Sequence, residues 1–353
     1  MASLREAIGT TYKLSSLRVK KSISLKFHIP LRLMNNLIHT IELSSNDLDL
    51  SKFKNPHFTI DGKVRATVSP TAVETLWINT GTLCNLSCKN CYIESTPTND
   101  RLSFITKNEV KTLLEEISSE LLLTKEIGFT GGEPFLNEDL IPMLRLSLQR
   151  GFRVLVLTNA MKTMLNASKD LLELKNQYSD YLKIRVSLDH YNETLHTEER
   201  GRRSWKPALQ GLRWLSDNKF NFSIAGRTYW GETEPAMREG YQTLFKKESI
   251  NLDANNTAHL VLFPEMDDSL DVPEITSECW QILKKKPSEL MCANTRMAVK
   301  RKEDTQVSIM ACTLLPYDQR FNLGTTLKES LKPISLNHPH CSKFCMLGSG
   351  SCS

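Results

Sequence analysis

Between residues 75 and 264 the chain alternates short apolar runs with longer segments whose apolar positions recur every three or four residues. The short runs, 76–79, 127–130, 152–157, 184–188, 222–226 and 260–263, predict strands. The longer segments predict the helices between them. Their boundaries carry helix punctuation. Thr106 and Glu109 form a capping-box pattern ahead of Val110, Leu113, Leu114 and Ile117. Asn137 is placed to cap the next helix, through Ile141, Leu144 and Leu148, and Gly151 to stop it. Segments 178–182, 205–215 and 237–245 bound or form the later crossover helices.

Six strand–helix units imply a parallel sheet with right-handed crossovers. Eight units close a barrel, so six predict a partial, open one. The expected fold is α/β: a partial (β/α)6 TIM-like barrel with a small C-terminal Cys-rich β-hairpin extension. Residues 1–70 read as a lead-in, partly disordered, with a short hairpin around Phe58–Ala66. Residues 71–265 form the core and residues 266–353 the extension. There, 297–300 and 306–310 flank a turn at Lys302–Thr305 and predict a β-hairpin.

Composition narrows the class. Of 353 residues, 40% are hydrophobic and 24% charged, an ordinary globular balance, and no stretch approaches a membrane span. The net charge of +5 is concentrated early: Arg5, Lys13, Arg18, Lys20, Lys21, Lys26 and Arg32 stand against Glu6 alone in the first 32 residues. That start reads as an unstructured extension, with a transit peptide as the alternative. No aromatic-plus-basic module follows it to support nucleic-acid binding.

Nine cysteines change the picture, because of where they fall. Three lie in Cys84-Asn-Leu-Ser-Cys88-Lys-Asn-Cys91-Tyr92; the other six begin at Cys279. A disulfide scaffold would be shorter and more evenly studded, so clustered thiols point to metal in a reducing, cytoplasmic setting. Three thiolates leave one iron of a [4Fe–4S] cluster open, and an open site marks reactive metal. Zinc would want a fourth ligand nearby, and none lies close in sequence. Thr130-Gly131-Gly132-Glu133-Pro134 then ends the second strand run.

Together these motifs resemble the radical S-adenosylmethionine (radical SAM) enzymes, whose signature is CxxxCxxC followed by a GGE motif on the next strand. The resemblance implies that Cys84, Cys88 and Cys91 hold a [4Fe–4S] cluster whose open iron binds S-adenosylmethionine. Reductive cleavage then gives a 5′-deoxyadenosyl radical that abstracts hydrogen from a substrate. Cofactor contact is expected from Tyr92, Gly131, Gly132, Glu133, Pro134, Asn159 and Ser187. Asp189 and Arg227 stand between substrate contact and solvated loop, and Arg200, Arg202 or Arg203 could pair with the cofactor's carboxylate. Position 90, often aromatic in the family, is Asn here. The late cysteines look like a twitch/SPASM extension, implying an auxiliary [4Fe–4S] cluster held by Cys292, Cys312, Cys341 and Cys345, with Cys352 an alternative ligand and Cys279 a buried thiol. Structural zinc at the same residues, with His338 and His340 nearby, is the rival. A ferredoxin- or flavodoxin-type electron donor is implied. The substrate, peptide or small molecule, is not named by any motif. The rival class is a non-catalytic iron–sulfur or zinc-binding protein.

Overall fold

The computed structural model describes residues 51–264 and 271–348; the basic stretch at the start and Cys352 lie outside them. Ten strands are described: β1 (Thr67–Val68), β2 (Thr75–Asn79), β3 (Glu126–Thr130), β4 (Arg153–Thr158), β5 (Leu182–Ser187), β6 (Asn221–Arg227), β7 (Leu260–Phe263), β8 (Thr295–Val299), β9 (Ser308–Met310) and β10 (Ile334–Ser335). One eight-stranded sheet runs β7-β6-β5-β4-β3-β2-β8-β9, while β1 and β10 pair separately. From β7 to β8 every pairing is parallel; only β8–β9 is antiparallel. No closed barrel forms among the described residues. The six expected strands are β2 to β7, each beside its sequence neighbour, as right-handed crossovers require.

Helices cover one face: α1 (Lys107–Ser119), α2 (Leu140–Gln149), α3 (Lys162–Asn166), α4 (Ser168–Tyr178), α5 (Glu193–Arg200), α6 (Trp205–Asp217) and α7 (Glu234–Lys247), followed by the short α8 (Cys279–Ile282) and α9 (Met291–Asn294). Strand alternation sorts the side chains. Leu76, Ile78, Ile127, Phe129, Val154, Val156, Ile184 and Val186 face the helices and form the main core. Trp77, Leu155 and Met297 face the other, concave side with Leu314 and Phe344.

Two local expectations meet different outcomes. Thr106 and Glu109 make the full capping box of α1. Asn137 does not cap α2, which starts at Leu140 without a side-chain cap. Its amide is drawn inward instead, donating to Thr80 O at 3.1 Å and Ile105 O at 2.8 Å, which ties the residue after β2 to the segment just before α1. The hairpin β8–β9 forms as expected, but β8 also pairs with β2. The hairpin therefore continues the barrel sheet rather than sitting over its mouth. Apolar residues on both faces of β8 make this possible, since all five of its positions are buried.

Candidate active site

The Cys84–Tyr92 loop leaves the carboxyl end of β2 and is fastened by backbone. Gly132 N donates to Gly81 O at 2.9 Å and Glu133 N to Leu83 O at 3.1 Å. A Cβ at Gly132 would stand 2.1 Å from Leu83 O, and one at Gly131, whose φ is +135°, would stand 2.5 Å from Gly81 O. Only glycine lets the two strand-end loops close to hydrogen-bond distance here.

One cavity of about 200 Å³ opens at the carboxyl ends of the strands. It is lined by Cys84, Cys88 and Cys91, by Tyr92, Gly131, Gly132, Asn159 and Ser187, and by the Asp189–Arg200 and Glu199–Arg227 pairs. Of the expected cofactor contacts, Glu133 and Pro134 are elsewhere. Pro134 is buried at the start of a 3-10 turn. The Glu133 carboxylate is fully engaged within the protein: Thr158 Oγ1 donates to it at 2.8 Å, Asn159 N at 2.9 Å and Phe135 N at 3.2 Å. Burial pushes its pKa up to about 7, against the pull of these donors. Its place is to weld the end of β3 to the end of β4. Asn159, so held, donates through Nδ2 to Asn85 Oδ1 at 2.8 Å, which ties β4 to the cysteine loop.

Burial pushes the Cys84 thiol up to about 12 and raises Cys88, although Arg200 opposes the latter shift. The three thiols line one cavity, which suits a multi-iron group whose cations would take the place of their protons. Arg200 grips Asp189 in a two-pronged pair, 2.6 and 3.1 Å. Burial opposes the Asp189 charge, yet Arg200 holds its carboxyl below the usual range. Arg200 is thus committed to a protein carboxylate, while Arg202 and Arg203 do not line the cavity.

Sequence reasoning missed Glu199, on the last turn of α5. Its buried carboxylate accepts from Asn90 N at 2.9 Å, Asn90 Nδ2 at 2.8 Å and Arg227 Nη1 at 2.9 Å, while Arg227 Nη1 also reaches Asn90 O at 3.2 Å. This is what the Asn at position 90 does: its side chain and peptide are clamped between α5 and β6. The signal was present, as an amide where the family has an aromatic ring. Its partners lie 109 and 137 residues away, so nothing local revealed them. His190, beside Asp189 in sequence, turns to Glu232, 2.5 Å from Nε2.

A second, smaller cavity of about 30 Å³ is ringed by Cys292, Cys312, Cys341 and Cys345, with His340. Cys341 and Cys345 lie on a seven-residue π-helix, Cys341–Leu347, whose wide turn brings residues four apart toward one side. Burial pushes the Cys292 thiol up to about 11 and that of Cys341 up to about 12. Cys279 does not line this cavity; its Sγ lies 3.5 Å from Thr276 Oγ1. The two cavities share a wall, because Thr313, Leu314 and Phe344 line both. Among the described residues no three Cys, His, Asp or Glu side chains converge closely enough for a single metal ion. No described helix is long and apolar enough to cross a membrane.

Residues 78–237 match the model of the radical SAM superfamily. The chain is 32% identical over 143 residues to the antilisterial bacteriocin subtilosin biosynthesis protein AlbA of Bacillus subtilis, covering 40% of this chain and 30% of that one. It is 29% identical over 129 residues to the Fe-coproporphyrin III synthase of Methanosarcina barkeri, covering 36% and 30%. The match thus spans about a third of these relatives. In fold it is similar to Streptococcus suis SuiB bound to S-adenosylmethionine, with a TM-score of 0.52 at 12% identity, over 72% of this chain and 63% of that one. Residues 78–237 thus carry a radical SAM domain.

Proposed function

We infer that the chain is a radical enzyme whose Cys84, Cys88 and Cys91 hold a [4Fe–4S] cluster and whose strand-end cavity holds S-adenosylmethionine. The observation that carries this is the gathering of all three thiols with Gly131, Gly132, Asn159 and Ser187 around one cavity. Held by Cys84, Cys88 and Cys91, the cluster would supply the electron for reductive cleavage of S-adenosylmethionine, and with it the radical chemistry of hydrogen abstraction. The chain's own residues hold the loop in place through Gly132, Asn159 and Glu199. Apolar walls from Leu157, Phe263, Leu314 and Phe344 exclude water and stray hydrogen donors. Release of 5′-deoxyadenosine from reduced, reconstituted protein tests the proposal. Cys88→Ala should abolish it with the fold retained, and undiminished release from that variant would refute it.

Cys292, Cys312, Cys341 and Cys345 are proposed to hold an auxiliary [4Fe–4S] cluster, as in a twitch/SPASM extension over 266–353 beside a core of 71–265. A ring of thiols around a cavity suits several irons better than one zinc bonded at about 2.3 Å to every sulfur. The shared wall supports an electron passing from a substrate radical to that cluster, so a two-electron oxidation or a cross-link is favoured over rearrangement. The substrate is proposed to be a peptide or protein, with a small metabolite as the second class, and the electron donor a ferredoxin or flavodoxin. Clusters of this kind suit the reducing cytoplasm.

A further inference from the structure

We propose that the buried Arg296 guanidinium is the counter-charge of the second cysteine ring and raises the reduction potential of the cluster held there. This rests on the auxiliary-cluster reading above and assigns the residue that sets that cluster's affinity for an electron.

Arg296 is the second residue of β8 and is 1% exposed. Strand alternation sets Met297 on the concave side and Ala298 on the helix side, so Arg296 lies behind the strand as seen from the ring. Its hydrogen bonds tie it to the ring through the backbone. Nη1 donates to Cys292 O at 2.7 Å and to Thr295 O at 2.6 Å, while Nε and Nη2 donate to Ser330 O at 3.1 and 2.9 Å. Cys292 and Thr295 both line the ring cavity.

Those bonds satisfy the donors and leave the charge. Among the described residues no carboxylate pairs with Arg296, and the ionisable group it feels is the Cys292 thiol. Arg65, Arg200 and Arg227, by contrast, each meet a carboxylate: Glu274, Asp189 and Glu199. A buried cation without an anion is costly, and a neutral amide could serve the same carbonyls without that cost. An anion across the Cys292 peptide accounts for the charge. An iron–sulfur cluster on the ring's thiolates is such an anion, and it becomes more negative when it takes up an electron. A fixed positive charge in a dry interior favours the more negative state, so the potential shifts upward. That direction suits a cluster that accepts an electron from a substrate radical.

The test is an anaerobic potentiometric titration of the full chain, with Cys84, Cys88 and Cys91 changed to Ala so that the auxiliary cluster alone titrates. Its readout is the low-temperature paramagnetic signal of the reduced cluster. Arg296→Gln keeps an amide donor and removes the charge. At the parent's midpoint its ratio of reduced to oxidised cluster should fall roughly tenfold, a downward shift of about 59 mV for one electron. Arg296→Lys keeps the charge and should hold the midpoint close to the parent's. Arg296→Met, apolar and of similar length, serves if the Gln variant fails to fold. An unchanged midpoint in a folded neutral variant overturns the proposal. So does an equal fall in the Lys variant, which would make Arg296 a structural clamp. Either result with about four irons per chain in this background sinks this inference alone. A ring that holds zinc, or no metal, sinks the auxiliary-cluster reading and this inference with it.

Discussion

Three buried residues, Glu133, His196 and Glu199, do more than the motif suggests. Glu133 is the acid of the GGE run, yet it faces the protein and binds β3 to β4 rather than reaching the cavity. Gln in its place would turn one N–H₂ group toward Thr158 or Asn159, leaving a buried donor facing a donor. Glu133→Gln should therefore cost about 1–3 kcal/mol, read as a lowered melting temperature, and should loosen cluster retention because Asn159 loses its anchor. His196 is fully buried against Trp205, with ring centroids 5.3 Å apart, and neither ring nitrogen has a hydrogen-bond partner among the described residues. Burial depresses its pKa from 6.5 to about 3, with Arg200 adding to the shift. The sign follows: the unfolded chain takes up this proton first, so the contribution to stability is complete above pH about 6.5 and is lost as pH falls toward 3. Denaturant midpoints from pH 7 to 4.5 should fall less steeply in His196→Phe than in the parent chain. Parallel slopes would exclude His196 as the titrating group. Glu199 is the third; its one sequence signal is indirect, the amide at position 90, because the clamp on Asn90 exists only after folding.

At the scale of elements, the turn after β3 and the loop after β2 act as one unit. The glycines of GGE serve loop-on-loop packing as well as lining the cavity, a role legible in the sequence as a need for close approach but not as the partner approached. Gly132→Ala would press a methyl carbon to 2.1 Å from Leu83 O, which is backbone and has no rotamer to yield. Overpacking typically costs about 1–3 kcal/mol, and the strain here falls on the peptide just before Cys84. The expected result is a protein that folds less stably and retains less iron in the radical cluster after desalting. Normal iron with normal stability would show that the loop has more freedom than these contacts imply. The π-helix is the other decisive element. Cys341 and Cys345 are spaced for an ordinary helical face, and the wider turn adds a displacement that periodicity alone does not foretell.

At the scale of the molecule, the C-terminal segment belongs to the same construction as the barrel. β8 extends the sheet beside β2, and Thr313, Leu314 and Phe344 close the active cavity while bordering the second cysteine ring. Protein purified anaerobically should hold about eight irons per chain, as two clusters of four. Removing Cys292 and Cys312 together should lower this to about four, with the radical cluster still giving its characteristic low-temperature paramagnetic signal on reduction. Stoichiometric zinc with only four irons would replace the auxiliary cluster by a structural ion. Because the wall is shared, the double variant should also impair substrate turnover more than 5′-deoxyadenosine release, and equal losses would make the second site purely structural.

Features legible in the chain before folding were local or periodic. Continuous apolar runs set six strands, capping and glycine signals set several helix ends, and CxxxCxxC with GGE marked the candidate site, because cysteine spacing and tight turns are properties of a few adjacent residues. Tertiary structure alone decided what depends on distant partners. It placed Glu133 inside, since burial and three donors outweigh the pull of an open cavity. It joined Asn90 to Glu199 and Arg227, and it drew β8 to β2 across more than two hundred residues of intervening chain. It also set the two cysteine groups on opposite sides of one wall. Those pairings are fixed by which faces must be buried together, and that choice is made only when the whole sheet is assembled.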